Sequence, residues 1–445
     1  MLKNKAILLV FSVLLLNACS TSGMFKDKNE KPKLEGERIS VLELQKTLSP
    51  DANLKDGEKI IIPTNWANKS WPQAGGYPSH VMQNPTLSNA KLKRVWATSI
   101  GAGSTGNIPL TTQPIIVKDV IYALDTKSRL SAFNALNGKK IWKIDIKKKG
   151  EGDNVIGGGL SFAHDTIYAT NGYDEVLAIA PQAGEIKWRK ALPAPSRAAP
   201  TVIGGRVFIS TINSRLVTLS AQNGASLWEY TGISEMAGLL GAASPAANNE
   251  IVVPVFSSGE VTALRVENGS VAWSDNLSNI RRYGGGLESI SDIKAMPLID
   301  KNTIIALSFG GKLVAIDERS GTRKWQKDIS GSQTPWIAGN HIYVLSSDNQ
   351  VIALNVITGS IIWIKELARF EDEKNRNNPI SWGGPIMASG ELILTGSHGY
   401  IAKLDAVSGK VTQMLKTKKN IQISPIIAND TLYLLSEDGT LMAYR

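Results

Sequence analysis

"SGTRKW" (residues 320–325) is a turn signal followed by two basic residues and a tryptophan, and close variants of it recur along the chain. They read "NGKKIW" (137–142), "AGEIKW" (183–188), "NGASLW" (223–228), "NGSVAW" (268–273) and "TGSIIW" (358–363). One copy would be an ordinary hairpin, whereas recurrence at intervals of about 40–50 residues marks a repeat architecture. Ahead of each copy lies an alternating run such as "KLVAIDERSG" (312–321), the period-2 pattern of a strand entering a glycine turn. Further upstream a second hairpin pattern opens on proline, as in "PLIDKNTIIALS" (297–308). Each unit therefore contains four short strands, the content of one propeller blade.

The count decides the fold. Tryptophans stand four residues after the turn glycine at Trp142, Trp188, Trp228, Trp273, Trp325 and Trp363, and Gln413 fills the seventh position. The last unit stops at "GTLMAYR" (439–445) after three strands, while "LKRVWATSI" (92–100) carries Trp96 far upstream. The sequence predicts an all-β chain: an eight-bladed β-propeller of four-stranded antiparallel blades, its ring closed by the N-terminal strand. Closure of this kind removes a long exposed strand edge. The seven tryptophans are expected to be structural, each indole covering the gap between neighbouring blades. Gln413 predicts looser docking of the seventh blade. Prolines at 114, 200, 245, 297, 335, 385 and 425 are expected at the starts of inner strands, where a missing N–H is best tolerated.

The rest of the chain is bounded by composition. Its 445 residues are 42% hydrophobic and 20% charged, an ordinary globular balance. "MLKNK" followed by the 11-residue apolar run "AILLVFSVLLL" and "LNACS" reads as a signal peptide, since a spanning helix needs about 20 residues. Cys19, the sole cysteine, has no disulfide partner and stands where a bacterial lipobox places the lipidated residue. Ser20 after it is expected to direct the protein to the outer membrane. The organisation predicted is a signal peptide at 1–18, a lipidated tether and strap at 19–92, and the propeller at 93–445. Within the strap, "ISVLELQKTL" (39–48) suits a helical turn or two, and "WANKSWPQAGGYPSH" (66–80) is expected to lie across the folded body. The formal charge of +10 falls to about +8 without Lys3 and Lys5 (10 − 2). That charge is spread rather than clustered, so no nucleic-acid partner is expected.

Catalytic patterns do not emerge. Asp317 and Asp405 occupy turn positions where a carboxylate caps its own turn. His80, His164, His341 and His398 lack metal-ligand spacing and are expected at surface or turn positions. "GGGL" (157–160) and "GGGLES" (284–289) precede strands instead of opening helices, which disfavours phosphate binding. Of three classes weighed, an enzyme, a ligand-sensing propeller and a scaffold, the residues favour the scaffold.

The unit "A-x-D-x-x-(T/S)-G-x-x-x-W", clearest at Ala315 to Trp325, resembles the tryptophan-docking repeat of the pyrroloquinoline quinone dehydrogenases. The resemblance covers fold and repeat only: a cysteine pair used by many of those enzymes is excluded, and neither cofactor nor metal is expected. Together with the lipobox, "GLLGAASPA" (238–246), "SSGEVTALRVENG" (257–269), "SDIKAMP" (291–297) and "QTPWIAGNHIYV" (333–344), the whole chain resembles the BamB family. These are non-enzymatic lipoprotein subunits of the outer-membrane β-barrel assembly (BAM) machinery, and the likeness is to an alphaproteobacterial branch. That resemblance implies contact with the periplasmic POTRA domains of BamA, with other subunits, and with unfolded outer-membrane proteins as further candidates. It places the BamA contact on two adjacent long connections, here carrying Leu239 and Leu240, and then Arg281, Arg282 and Asp292. The family's arginine is absent from the first loop, and Lys294 replaces the second aspartate of the second.

Overall fold

The computed structural model describes residues 48–52, 59–88, 91–153, 155–233, 241–278 and 292–445. Among them there is no helix, and eight four-stranded antiparallel sheets form the blades. Blade 1 comprises Ile115–Val117, Val120–Leu124, Arg129–Asn134 and Lys140–Asp145, hydrogen-bonded in chain order. Blades 2 to 6 repeat this plan, from Gly159–Ala163 through to Ile361–Glu366, and blade 7 runs from Trp382–Ala388 to Val411–Lys416. Blade 8 takes three strands from Ile426–Ala428, Thr431–Leu435 and Thr440–Tyr444, and its fourth is Arg94–Ser99, paired antiparallel with Thr440–Tyr444. A two-stranded hairpin, Phe370–Asp372 with Asn377–Pro379, decorates the connection between blades 6 and 7.

The repeat works at each junction as a small lock. In blades 1 to 6 the tryptophan lies opposite a small residue of the third strand, Ala132, Ala178, Thr218, Ala263, Ala315 or Ala353, and a register shift follows that pair. Its indole then reaches the third-to-fourth-strand turn of the next blade. Trp273 Nε1 donates to the Glu318 carbonyl at 2.7 Å and Trp325 Nε1 to that of Val356 at 2.7 Å. Trp96, Trp142, Trp188, Trp228 and Trp363 do the same to Ala135, Pro181, Ala221, Val266 and Ala406. The turn glycine three residues on is required twice over. Gly321 has φ +71°, which L-residues adopt at a cost, and a Cβ there would lie 2.5 Å from the Trp273 ring. Asp317 caps the same turn, accepting from Ser320 N at 3.0 Å, and Asp405 accepts from Ser408 N at 2.7 Å.

Gln413, expected to loosen the seventh blade, traces to a difference in blade 8. Blade 8 has no turn between its third and fourth strands, because those strands come from opposite ends of the sequence and meet through Lys93 and Arg445, N to O 2.7 and 3.0 Å. An indole at 413 would have no glycine turn to cover. Gln413 instead pairs with Lys403, whose buried ammonium forms an ion pair with Glu391.

The segment from Asn68 to Pro85 circles the ring near the ends of the first strands, touching blades 8, 1, 2, 3, 4, 5, 6 and 7 in turn. Asn68 donates to the Ile427 carbonyl (2.6 Å), Trp71 pairs with Ile116 (2.7 and 3.0 Å), and Pro72 O accepts from Phe162 N (2.7 Å). Gln73 brackets Val202 at 2.9 Å twice, and Pro78 and Ser79 accept from Ala247 and Ile299 at 2.8 and 3.1 Å. Gln83 accepts from Trp336 Nε1 (2.7 Å), and Asn84 and Pro85 accept from Gly390 and Ser389, both at 3.0 Å. The strap then closes on itself, Trp66 N to Asn84 O at 3.1 Å and Thr86 N to Trp66 O at 2.9 Å.

Six of the seven prolines directly precede a first strand; Pro385 lies inside Trp382–Ala388 at an irregular register. Two histidines differ from expectation. His80 is buried in the strap, where its Nδ1 bonds the Pro297 carbonyl at 2.7 Å, and His341 is the buried first residue of His341–Leu345 rather than part of a turn.

Candidate functional site

The connections from each outer strand to the next first strand emerge on the ring face opposite the strap, and this face carries the unrepeated sequence. Where they turn inward, the residue before six of the seven prolines is biased to extended backbone, and these six line the axis. Gln113, Ala199, Ser244, Met296, Thr334 and Ser424 all face one central cavity of ≈ 400 Å³, with Ala74 of the strap also in its lining. Neighbours are stitched together around this collar: Gln113 Nε2 donates to the Ser424 carbonyl at 3.0 Å, Thr112 Oγ1 to that of Gly158 at 3.0 Å, and Met296 N to Thr334 Oγ1 at 3.1 Å.

Charge in the cavity is uneven. Arg197 and Lys294 both line it, and the Cβ position of Gly241 lies 3.0 Å from Lys294 Cε. Burial lowers the Lys294 pKa, opposed by the nearby Asp292 charge. In blade 8, across the ring, Glu437 accepts from Asn420 Nδ2 at 2.6 Å, and burial raises its pKa. A smaller cavity of ≈ 210 Å³ adjoins on the same face, lined by Arg197, Thr211, Ile212, Phe256 and Asp292 among others. Ile212, in its lining, is exposed.

The residues anticipated for partner contact are distributed as follows. Leu239, Leu240, Arg281 and Arg282 lie outside the described residues, as does Cys19. Asp292, anticipated on the docking surface, is 5% exposed, and its backbone carbonyl accepts from Phe309 N at 3.0 Å. Neither Arg197 nor Glu437 was singled out by sequence reasoning. They are brought together by different blades, and the pre-proline positions were the one signal that could have pointed to the axis.

Among the described residues no group of three or more His, Cys, Asp or Glu could hold a metal, and Glu437 is the only carboxylate among those lining the central cavity. Also among the described residues, no helix is long and apolar enough to cross a membrane.

Comparison with known proteins gives a consistent result. A family model described as "Outer membrane protein assembly factor BamB" matches residues 79–156 and 127–365. The BamB protein of Yersinia pestis is 25% identical over 357 residues, covering 79% of this chain and 88% of that protein. An uncharacterized protein of Rickettsia prowazekii is 24% identical over 400 residues, 88% of this chain and 91% of the relative, in keeping with an alphaproteobacterial type. Among solved structures, Moraxella catarrhalis BamB superimposes with a TM-score of 0.64 at 18% identity, covering 80% of this chain and 98% of that one. A quinohemoprotein alcohol dehydrogenase from Comamonas testosteroni gives 0.65 at 12% identity over 84% and 80%. At such identities the two superpositions speak to fold alone.

Proposed function

The chain belongs to the family of the outer membrane protein assembly factor BamB, and on that footing we propose that it is a non-enzymatic scaffold of the outer-membrane β-barrel assembly complex. In this reading it is a lipoprotein, anchored through Cys19 at the periplasmic face of the outer membrane. It binds the POTRA domains of BamA and assists the folding and insertion of barrel proteins. The observation that carries the reading is the family match, which runs through residues 79–365 and so includes both long connections. Leu239, Leu240, Arg281 and Arg282 on those connections are the proposed contact residues, in keeping with apolar side chains beside a charged rim. Asp292, buried at the root of the second connection, would hold that loop in place for the contact.

The test is a pull-down of the full chain from detergent-solubilised outer membranes with identification of the bound proteins. Recovery of BamA and other complex subunits is expected. Leu239→Ser with Leu240→Ser, or Arg281→Glu with Arg282→Glu, should cut that recovery by about tenfold, a loss of roughly 1.4 kcal/mol, with thermal unfolding unchanged. Undiminished recovery by both variants would overturn the loop assignment. Absence of every assembly-complex subunit from the unmodified bait would overturn the scaffold role itself.

A further inference from the structure

The central cavity holds a feature that a docking scaffold does not need. Elsewhere in the ring, several cations with partly buried side chains have carboxylate partners. Arg189 meets Glu175 at 2.5 Å, Arg323 meets Asp275 at 2.7 Å, and Lys403 pairs with Glu391. Such pairing is the usual condition for taking a charge partly out of water. Arg197 and Lys294 differ from these three: neither has a hydrogen-bond or ion-pair partner among the described residues, and both line the central cavity. Asp292, two residues before Lys294, is the carboxylate whose charge reaches the ammonium, and it lines the adjoining cavity instead.

We propose that the central cavity is a binding site for a small hydroxylated organic anion, an acidic sugar in chemical class, whose acid group sits on Arg197 and Lys294. Three observations shape that choice. The volume of ≈ 400 Å³ exceeds many times the share of one water, about 30 Å³, and so accommodates a carbon skeleton as well as an anion. The collar offers hydroxyl and amide groups in Ser244, Ser424, Gln333 and Gln422, which are donors and acceptors suited to ligand hydroxyls. Glu437 stands in blade 8, across the ring from the cations, so a second anionic end would be repelled and a hydroxyl end welcomed. A ligand of one acid and several hydroxyls satisfies both walls. A neutral sugar would leave the cations as they are, and a bare anion would leave the collar unused.

The inference stands apart from the assembly role, because it concerns the axis and not the outer connections. It is tested by isothermal titration of the full chain in detergent with D-glucuronate, D-glucose 6-phosphate and D-glucose. The two charged probes separate a carboxylate from a phosphate preference, and glucose removes the charge. Saturable binding of at least one charged probe is expected, at least about tenfold tighter than glucose. Arg197→Gln and Lys294→Gln should each weaken it by about tenfold or more, while Arg197→Lys should keep most of it. Circular dichroism melts confirm that the variants fold, and the Arg197→Lys result separates lost charge from lost structure. The proposal is overturned if neither charged probe binds saturably, if glucose binds as well as they do, or if the glutamine variants bind undiminished.

Discussion

Seven blade junctions are sealed by an indole laid over a glycine turn, and the junction between blades 7 and 8 is not. The difference teaches what the tryptophan is for. Where the next blade offers a left-handed glycine turn with a free carbonyl, the chain places tryptophan. Where the turn is replaced by two separate strands joined through Lys93 and Arg445, it places Gln413 opposite Lys403 and ties the lysine to Glu391. The strap makes up the difference, since its two ends meet at this junction. Asn68 bonds Ile427 of blade 8, Asn84 and Pro85 bond blade 7, and Trp66 pairs with residues 84–86 between them. One junction is thus held from the side by the strap and seven are held by docked rings.

That contrast can be broken most forcefully at Trp273, the most buried of the docking indoles at 8% exposure. Trp273→Ala should destabilise the protein by about 3–5 kcal/mol, as aromatic truncation in a packed site does, read from urea unfolding. A loss below about 1 kcal/mol would mean that the junctions do not depend on their indoles.

The strap supplies the next effect through His80. Burial holds its imidazole down to about 4, below the usual 6.5, so the unfolded chain binds the proton more readily. Stability is then fully present above pH 6.5, falls as pH drops towards 4, and levels off below it. The loss approaches about 3 kcal/mol at the low end. His80→Asn, which tolerates the φ of +59°, should flatten that part of the profile; an unchanged slope in pH-dependent melts would exclude His80 as its source.

Smaller again is Gly359→Ala. A Cβ there would lie 2.7 Å from the Trp325 ring at φ +73°, so a loss of more than about 1 kcal/mol is expected. The same measurement on Gly205→Ala is the control, since nothing lies within 4 Å of its Cβ although its φ is +73°; equal losses would reduce the lock to backbone strain alone. Smallest of all is Gln413→Trp, which should change stability by no more than about 0.5 kcal/mol. A clear gain would show that an indole can seal a junction without a turn beneath it.

Blade number, ring closure and the capping roles of Asp317 and Asp405 were legible because they are written in repeated, local chemistry: a period of two, a glycine turn, a carboxylate two or three residues from the N–H groups it caps. The meaning of Gln413 was not, because it depends on a turn that blade 8 lacks rather than on anything near residue 413. The path of the strap left no periodic trace either, as Gln73, His80, Gln83 and Asn84 bond backbone groups of four different blades. The axial cavity was hidden for the same reason. Arg197, Lys294 and Glu437 are far apart in sequence, and only closing the ring sets them around one space.

The strap also carries a consequence for how the molecule is made. Asn68 finds its partner 359 residues away, and Arg94–Ser99 waits for Thr440–Tyr444. Both segments leave the ribosome early, and these two contacts must wait until the last blade exists. Contacts of such long sequence separation slow folding, and unpaired strand edges are exposed while it proceeds. The ring therefore stays open until these early-made segments can fasten its last blade.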